Sequence, residues 1–137
     1  MNREDLKPLI RVLKKWMPVR FAYLFGSRAK GNEDDRSDWD VAIYFVEPKR
    51  KLGRWTAFEV EAELSRAIGG TVQVTVLNKP LTPLFGYEIL KNAILLVDKN
   101  RDLRFDFENR TLRSYFDWQF FLRRQMRPEG KDRILTA

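Results

Sequence analysis

The alternation of helical and extended apolar patterns constrains the fold of this chain more strongly than any other feature of its sequence. Apolar residues recur at helical spacing over about residues 3–16, which predicts an amphipathic helix. Two short, largely apolar runs follow and predict buried strands, Val19–Phe25 and Asp38–Val46. Helix and strand patterns then alternate, with helices over residues 56–68, 83–92 and 98 to about 127, and strands over residues 71–77 and 93–97. This α-β-β-α-β-α-β-α order, without a repeat or linker, predicts one α/β (α+β) layer structure in which helices cover a mixed β-sheet.

Local signals predict where individual helices begin and end. Pro8 indicates that the regular part of the first helix begins near that residue, because proline is tolerated only in the first turn of a helix. Thr56 and Glu59 have the spacing of a capping box, which predicts a helix beginning at Thr56. Gly69 and Gly70 follow the last apolar residue of that helix and predict its end.

The chain contains no cysteine and no histidine among its 137 residues. Disulfides, thiolate zinc sites, cysteine nucleophiles and Ser-His-Asp triads are therefore excluded. A metal ion would need oxygen ligands, which favours Mg²⁺, Mn²⁺ or Ca²⁺ over zinc. Any chemistry must use carboxylate, hydroxyl and basic side chains.

The charge balance indicates an anionic partner. Lysine and arginine together number 26 against 19 acidic residues, which gives a net charge of +7. Nucleic acid, nucleotide phosphates and an acidic protein all fit this charge. No apolar run approaches the roughly 18–20 residues that a membrane span needs. The polar N-terminus does not resemble a signal peptide, and the lack of cysteine is typical of the cytoplasm, so we expect a cytoplasmic protein.

A glycine–serine turn follows the first predicted strand and is a candidate phosphate-binding element. Glycine lets the backbone approach a ligand closely, and backbone N–H groups at such a turn can bind an anion. Ser27, which follows Gly26, adds a hydroxyl donor. Arg28 and Lys30 carry charges that could neutralise phosphate.

Two aspartates at the start of the next strand are candidate metal ligands. Asp38 and Asp40 are two residues apart, and side chains alternate along a strand, so both carboxylates project from the same face. Two carboxylates at one point repel each other unless a cation lies between them. Together with the preceding turn, the pair predicts a site for a Mg²⁺–nucleoside triphosphate.

The spacing of these two elements resembles the signature of the DNA polymerase β nucleotidyltransferase superfamily. Gly26 and Ser27 are followed, after ten residues, by Asp38 and Asp40. The longer sequence around these residues, Gly-Ser-Arg-Ala-Lys-Gly followed by Ser-Asp-Trp-Asp, is similar to that of the minimal nucleotidyltransferases called MntA. These proteins are the antitoxins of HEPN-domain ribonuclease toxins. The similarity continues through two later segments, Tyr87–Asn92 and Tyr115–Trp118.

This resemblance implies a nucleotidyltransferase fold, a reaction and a partner. In the family, AMP is transferred from ATP to a tyrosine hydroxyl of the toxin, which silences it. The resemblance assigns the triphosphate to Gly26 and Ser27 and the magnesium ion to Asp38 and Asp40. The nucleotidyltransferase domain would occupy residues 1–100, and residues 101–137 would form a helical extension that packs on the domain or binds the partner. So short a chain leaves the acceptor to be presented by another protein.

The sequence departs from the family pattern at two positions. The superfamily usually has a third metal-binding carboxylate on a later strand, and the corresponding position here is Gln73. An amide can offer a neutral oxygen ligand, but it can neither take a proton nor contribute charge. We therefore expect Mg²⁺–ATP binding to be retained and catalysis to be weakened. Lys30 stands where the family usually has arginine. Lysine keeps the positive charge but lacks the planar guanidinium that can bind phosphate through two hydrogen bonds.

Aromatic and basic residues crowd the C-terminal segment and leave three functions open. The predicted C-terminal helix is apolar on two faces, which is more apolar surface than a single sheet can cover. The uncovered apolar surface, with the arginines around it, favours a protein interface. The first reading is an adenylylating antitoxin of a HEPN toxin. The second is an antitoxin that neutralises its toxin by binding alone. The third is a nucleic-acid-binding module with a vestigial nucleotide site, because rings interleaved with basic residues also stack on bases. The aromatic residues are Phe105, Phe107, Tyr115, Phe116, Trp118, Phe120 and Phe121.

Overall fold

The fold is a four-stranded mixed sheet with helices on both faces, as the element order predicts. The computed structural model describes residues 3–31, 37–46 and 55–126. The four strands are β1 (Val19–Phe25), β2 (Trp39–Phe45), β3 (Val72–Val76) and β4 (Ile94–Asp98). The five helices are α1 (Arg3–Lys15), α2 (Ser27–Lys30), α3 (Thr56–Ile68), α4 (Pro83–Lys91) and α5 (Arg101–Met126). None of the helices in these three segments has the length and apolarity needed to cross a bilayer.

The sheet has the strand order β3-β2-β1-β4, so β1 and β2 lie at its centre. β1 pairs antiparallel with both β2 and β4, whereas β2 and β3 are parallel. Phe25 at the end of β1 lies opposite Asp40 near the start of β2, and Asp40 is the register partner of Gln73 on β3. The end of β1 and the starts of β2 and β3 therefore meet at one edge of the sheet.

Two apolar cores lie on opposite faces of this sheet. On one face α1 and α3 pack against the strands, and residues such as Leu9, Val41 and Leu64 are fully buried there. On the other face α4 and α5 cover Phe21 and Tyr44 through Ile89 and Phe107. The rings of Phe21 and Tyr44 stack with centroids 5.0 Å apart. Because Asp40 and Gln73 alternate with residues of the first core, their side chains lie on the face of the second.

Helix α1 contains a proline in its interior, which corrects one expectation. The helix begins at Arg3, as its apolar spacing predicts, but its regular part does not begin near Pro8. Because proline has no backbone N–H, α1 lacks one hydrogen bond at this position, the one to the carbonyl of Glu4. Glu4 is exposed. Leu6 in the preceding turn is only 5% exposed, so packing against the core holds that turn in the helix.

Helix α3 begins without the expected capping box. Its N-cap is Trp55, which makes no side-chain cap hydrogen bond, and Thr56 is already helical. The carbonyl of Trp55 accepts the N–H of Glu59 at 2.9 Å, and Thr56 is buried. A buried threonine inside the helix cannot fill the capping position, so the prediction was wrong there. The predicted end of α3 is confirmed, with Gly69 as a left-handed C-cap.

Helices α4 and α5 are held together by a close backbone approach. Gly86 is buried, and a Cβ atom at this position would lie 2.8 Å from Cγ2 of Thr111 on α5. Only Phe107 is buried among the described residues of the 26-residue helix α5. The hydroxyl of Tyr23 donates to Glu108 at 2.6 Å, which fixes the first half of α5 to β1. The rest of the expected C-terminal extension, residues 127–137, lies outside the described residues.

Candidate active site

Strand β1 ends in a tight glycine turn that opens the one-turn helix α2. Gly26 has φ +77°, a backbone conformation that L side chains rarely adopt. Its carbonyl accepts the N–H groups of Ala29 and Lys30 at 3.1 and 3.2 Å. The predicted turn after β1 is confirmed, and it brings Ser27 to the start of a helical turn at the edge of the sheet.

Glycine is also required at position 26 because the aspartate of the neighbouring strand lies against it. A Cβ atom on Gly26 would lie only 2.4 Å from Oδ2 of Asp40. The backbone of the turn therefore lies directly against the Asp40 carboxylate, and no side chain fits between them. The proposed phosphate-binding turn and the proposed metal ligand form one continuous site.

The two aspartates influence each other electrostatically. Burial raises the pKa of Asp40, and the negative charge of Asp38 raises it further. Asp40 lies within β2, and Asp38 immediately precedes that strand. A cation between the carboxylates would relieve this repulsion. The structure thus places the two carboxylates together, as the Asp-x-Asp spacing predicts.

Gln73 lies next to both aspartates, at the place where a third carboxylate was expected. It is the register partner of Asp40, and its Nε2 donates to Oδ2 of Asp38 at 2.9 Å. Within the three described segments, no group of three or more acidic side chains could hold a metal ion. The site therefore consists of two carboxylates and an amide.

Arg28 is hydrogen-bonded to Ser37, the residue that immediately precedes Asp38. Its guanidinium donates to the carbonyl of Ser37 from Nε at 3.2 Å and from a terminal nitrogen at 2.9 Å. The same group lies 4.2 Å from the ring centroid of Trp39, a cation–π arrangement. Lys30, at the end of α2, is exposed. The nucleotide-binding roles of Arg28 and Lys30 stay predictions.

Two aromatic residues at this edge of the sheet were not singled out from the sequence. Phe25 precedes Gly26, and its ring contacts that of Phe85 on α4 at a centroid distance of 6.2 Å. Phe85 is 41% exposed although it belongs to a helix packed on the sheet. The only feature of the sequence that could have indicated this contact was the aromatic residue Phe85 next to Gly86 in α4.

The donor set at this site fits a magnesium ion. Asp38 and Asp40 supply charged oxygens, the Gln73 side chain supplies a neutral one, and the chain contains no nitrogen or sulfur ligand of the histidine or cysteine type. Magnesium prefers one or two carboxylates together with phosphate and water oxygens. The glycine at position 26 lets the backbone of the turn lie against Asp40, so a phosphate bound to the turn would be close to this carboxylate.

The sequence model of the polymerase beta nucleotidyltransferases matches residues 7–102. The chain belongs to this nucleotidyltransferase family. The family expected from the Gly-Ser and Asp-x-Asp spacing is therefore confirmed. The match runs from α1 to the start of α5 and includes every strand of the sheet and every candidate site residue.

Several solved nucleotidyltransferase-fold structures are similar to this one over nearly their whole length. A toxin–antitoxin structure with AMP-PNP has a TM-score of 0.64 and 18% sequence identity, and the match covers 98% of this chain and 99% of that chain. A rebuilt structure of the tri-AMPylated Shewanella oneidensis HEPN toxin in complex with MNT antitoxin gives a TM-score of 0.63 at 16% identity, with 98% and 99% covered. An MntA–HepT toxin–antitoxin structure gives 0.62 at 16% identity, with 97% and 99% covered. Comparison with curated proteins finds no significant match.

Proposed function

We propose that this protein is an antitoxin that binds Mg²⁺–ATP and transfers AMP to a tyrosine hydroxyl of a HEPN-domain ribonuclease toxin. The observation that carries the proposal is the contact between the turn and the carboxylate pair. Gly26 lies so close to Asp40 that no side chain fits between them, and Asp38 is near enough to raise the pKa of Asp40. A phosphate-binding turn and a metal-binding pair are thus combined in one site.

Each residue of the site has a distinct part in this reaction. The turn at Gly26 and the hydroxyl of Ser27 bind the triphosphate, and Asp38 and Asp40 hold the metal ion. When bound, magnesium stabilises the negative charge that develops on the phosphate oxygens. The tyrosine oxygen forms a bond to the α-phosphorus, and the bond from that phosphorus to the bridging oxygen of the β-phosphate breaks. Pyrophosphate leaves, and the phenolic proton passes to solvent because Gln73 cannot accept it.

The partner is inferred from the matched structures and from the helix α5. The three structures described above are toxin–antitoxin structures, one of them with an AMPylated HEPN toxin. The second half of α5 carries Phe116, Phe120 and Phe121, each 57–58% exposed. A contiguous exposed aromatic surface is typical of a protein interface. This surface is where we place the toxin.

Neutralisation by binding alone is the second candidate function, and the environment of Gln73 favours it. The amide occupies the expected position of the third carboxylate and donates to Asp38. A site with one negative charge fewer binds the metal less strongly and has no base for the attacking hydroxyl. Under this alternative the protein binds both ATP and the toxin but transfers no AMP.

The experiment that separates these functions uses ATP labelled on the α-phosphate. This protein, Mg²⁺ and the product of the adjacent gene are incubated together, and label on the partner and ribonuclease activity are both measured. The double variant Asp38→Asn, Asp40→Asn removes the metal ligands. Asp102→Asn, which neutralises an exposed carboxylate in the first turn of α5, controls for the change in charge.

Label on the partner that disappears in the double variant and persists in the control supports the adenylyltransferase. Absence of label with the ribonuclease still blocked identifies a binding antitoxin. If the ribonuclease stays active and unlabelled, the protein is not the antitoxin of that partner.

A further inference from the structure

An aromatic side chain beside the phosphate-binding turn is exposed without a structural need. Phe85 is 41% exposed and Leu84 is 47% exposed, both in the first turn of α4. The buried residues of this helix are Gly86 and Ile89. The packing of α4 onto the sheet therefore does not depend on the outer part of the Phe85 ring.

The contacts of Phe85 place it next to the carboxylate pair. Its ring meets that of Phe25 edge-on, with an interplanar angle of 75° and centroids 6.2 Å apart. Phe25 is the register partner of Asp40 and immediately precedes Gly26. One aromatic ring thus separates Phe85 from both the turn and the metal-binding strand.

The first turn of α4 is anchored, so the exposure of Phe85 does not result from a loose helix end. Thr82 caps the helix, and its Oγ1 accepts the backbone N–H of Phe85 at 3.2 Å. The next residue, Gly86, packs so closely on Thr111 of α5 that a Cβ atom would lie 2.8 Å from it. Phe85 is therefore held in place from both sides, as a preorganised binding surface must be.

We propose that Phe85, supported by Phe25, stacks on the nucleobase of the bound nucleotide. This inference rests on the proposed function and adds the site for the base to the sites for phosphate and metal. In a nucleotide only one sugar joins the base to the α-phosphate, so the base must lie close to Asp38 and Asp40. Every base has a π-face, so a stacking ring increases affinity for any nucleoside triphosphate.

Two ligands test the proposal, because only one of them carries a base. Calorimetric titration measures the affinity of the full chain for Mg²⁺–α,β-methylene-ATP and for Mg²⁺–inorganic triphosphate. Phe85→Ala removes the ring and Phe85→Tyr retains it. Phe58→Ala is the matched control, because Phe58 is an aromatic residue 63% exposed on α3, across the sheet from α4.

The expected result is a loss confined to the ligand with a base. Phe85→Ala should weaken binding of the ATP analogue roughly 5- to 100-fold, the range found for loss of one base–aromatic stack. Binding of inorganic triphosphate should not change, and Phe85→Tyr and Phe58→Ala should bind both ligands as the wild-type protein does.

Three results would overturn the proposal. Equal affinity of Phe85→Ala and wild type for the analogue would show that the base lies elsewhere. Unchanged analogue binding with a raised KM for the toxin would make Phe85 a contact for the acceptor. If the wild-type protein bound neither ligand, the proposed function and this inference would both fail, whereas the first two results leave the proposed function intact.

Discussion

Gln73 donates a hydrogen bond from Nε2 to Oδ2 of Asp38, at 2.9 Å, between two parallel neighbouring strands. The bond links the one neutral side chain of the site to one of its two carboxylates. Since Gln73 is also the register partner of Asp40, a carboxylate at position 73 would complete a cluster of three acidic groups. The identity of this residue therefore decides whether the site has a third charged ligand and a group that can take a proton from the acceptor.

Replacing Gln73 by aspartate should raise the rate of AMP transfer. A positioned general base contributes about 10²–10⁴-fold to a proton-transfer step, so we expect an increase of at least tenfold. The measurement is the initial rate of α-phosphate label incorporation into the partner. Gln73→Asn has the same size as the aspartate variant without its charge. Equal rates for the aspartate and asparagine variants would show that the missing carboxylate does not belong at this position.

Asp40→Asn should stabilise the folded protein at neutral pH while abolishing metal binding. The pKa of Asp40 is raised by burial and by Asp38, so folding favours its protonated form. Its stabilising contribution is present at low pH and is lost as the pH rises through the raised pKa. The asparagine variant does not undergo this loss. Its midpoint of thermal unfolding should exceed that of wild type by about 1–3 °C at neutral pH, a small shift because Asp40 keeps part of its solvent contact.

Thermal unfolding from about pH 3 to pH 8 spans the titration of an aspartate with a raised pKa. The difference between Asp40→Asn and wild type should vanish at the acidic end. Lower stability of Asp40→Asn at neutral pH would contradict the predicted sign.

Gly26→Ala should disrupt the site more than the same substitution at another strained glycine. Both glycines have positive φ, but Gly31 lies in the left-handed helical region, where alanine costs about 1–2 kcal/mol, whereas Gly26, with ψ −158°, has a conformation that is essentially restricted to glycine. Of these two positions, only at Gly26 does the added Cβ meet another described residue, Oδ2 of Asp40 at 2.4 Å, whereas no described atom lies within 4 Å of it at Gly31. We expect Gly26→Ala to weaken Mg²⁺–triphosphate binding at least tenfold and Gly31→Ala to leave it within about twofold. Calorimetric titration of both variants measures the difference, and equal losses would mean that the contact between position 26 and Asp40 does not contribute.

Local patterns were sufficient for the order of the elements. The strand Val19–Phe25 has the predicted bounds, and Asp38 lies close enough to Asp40 to raise its pKa, whereas the roles of both as metal ligands stay predictions. Two local signals were wrong: Pro8 as the start of the regular part of α1, and Thr56 as the N-cap of α3, although α3 does begin at Thr56. In both cases a buried side chain in the first turns of the helix outweighed the local signal.

Long-range contacts could not be predicted from these patterns. The approach of Gly26 to Asp40 depends on the antiparallel register of β1 and β2, and the contact of Phe25 with Phe85 depends on how α4 crosses the sheet. Neither register nor crossing is encoded in a short window of sequence. The position of Gln73 beside the aspartates was anticipated only because the family resemblance supplied it, and its hydrogen bond to Asp38 was not predicted.

The two halves of α5 should respond differently to substitution. The first half is anchored by Phe107, 5% exposed, and by the hydrogen bond between Tyr23 and Glu108. Phe107→Ala should therefore destabilise the fold by about 3–5 kcal/mol.

The second half of α5 should be replaceable without loss of stability. Phe116 and Phe120 are one helical turn apart, and both are more than half exposed. The double variant Phe116→Ser, Phe120→Ser should keep the thermal unfolding midpoint and Mg²⁺–ATP affinity of wild type. Its affinity for the HEPN toxin should fall at least tenfold, because each buried aromatic anchor contributes about 1–2 kcal/mol or more. Phe58→Ser provides the control for loss of an exposed ring. Unchanged toxin affinity in the double variant would move the interface away from α5, and a loss of ATP affinity would show that this half of the helix supports the site.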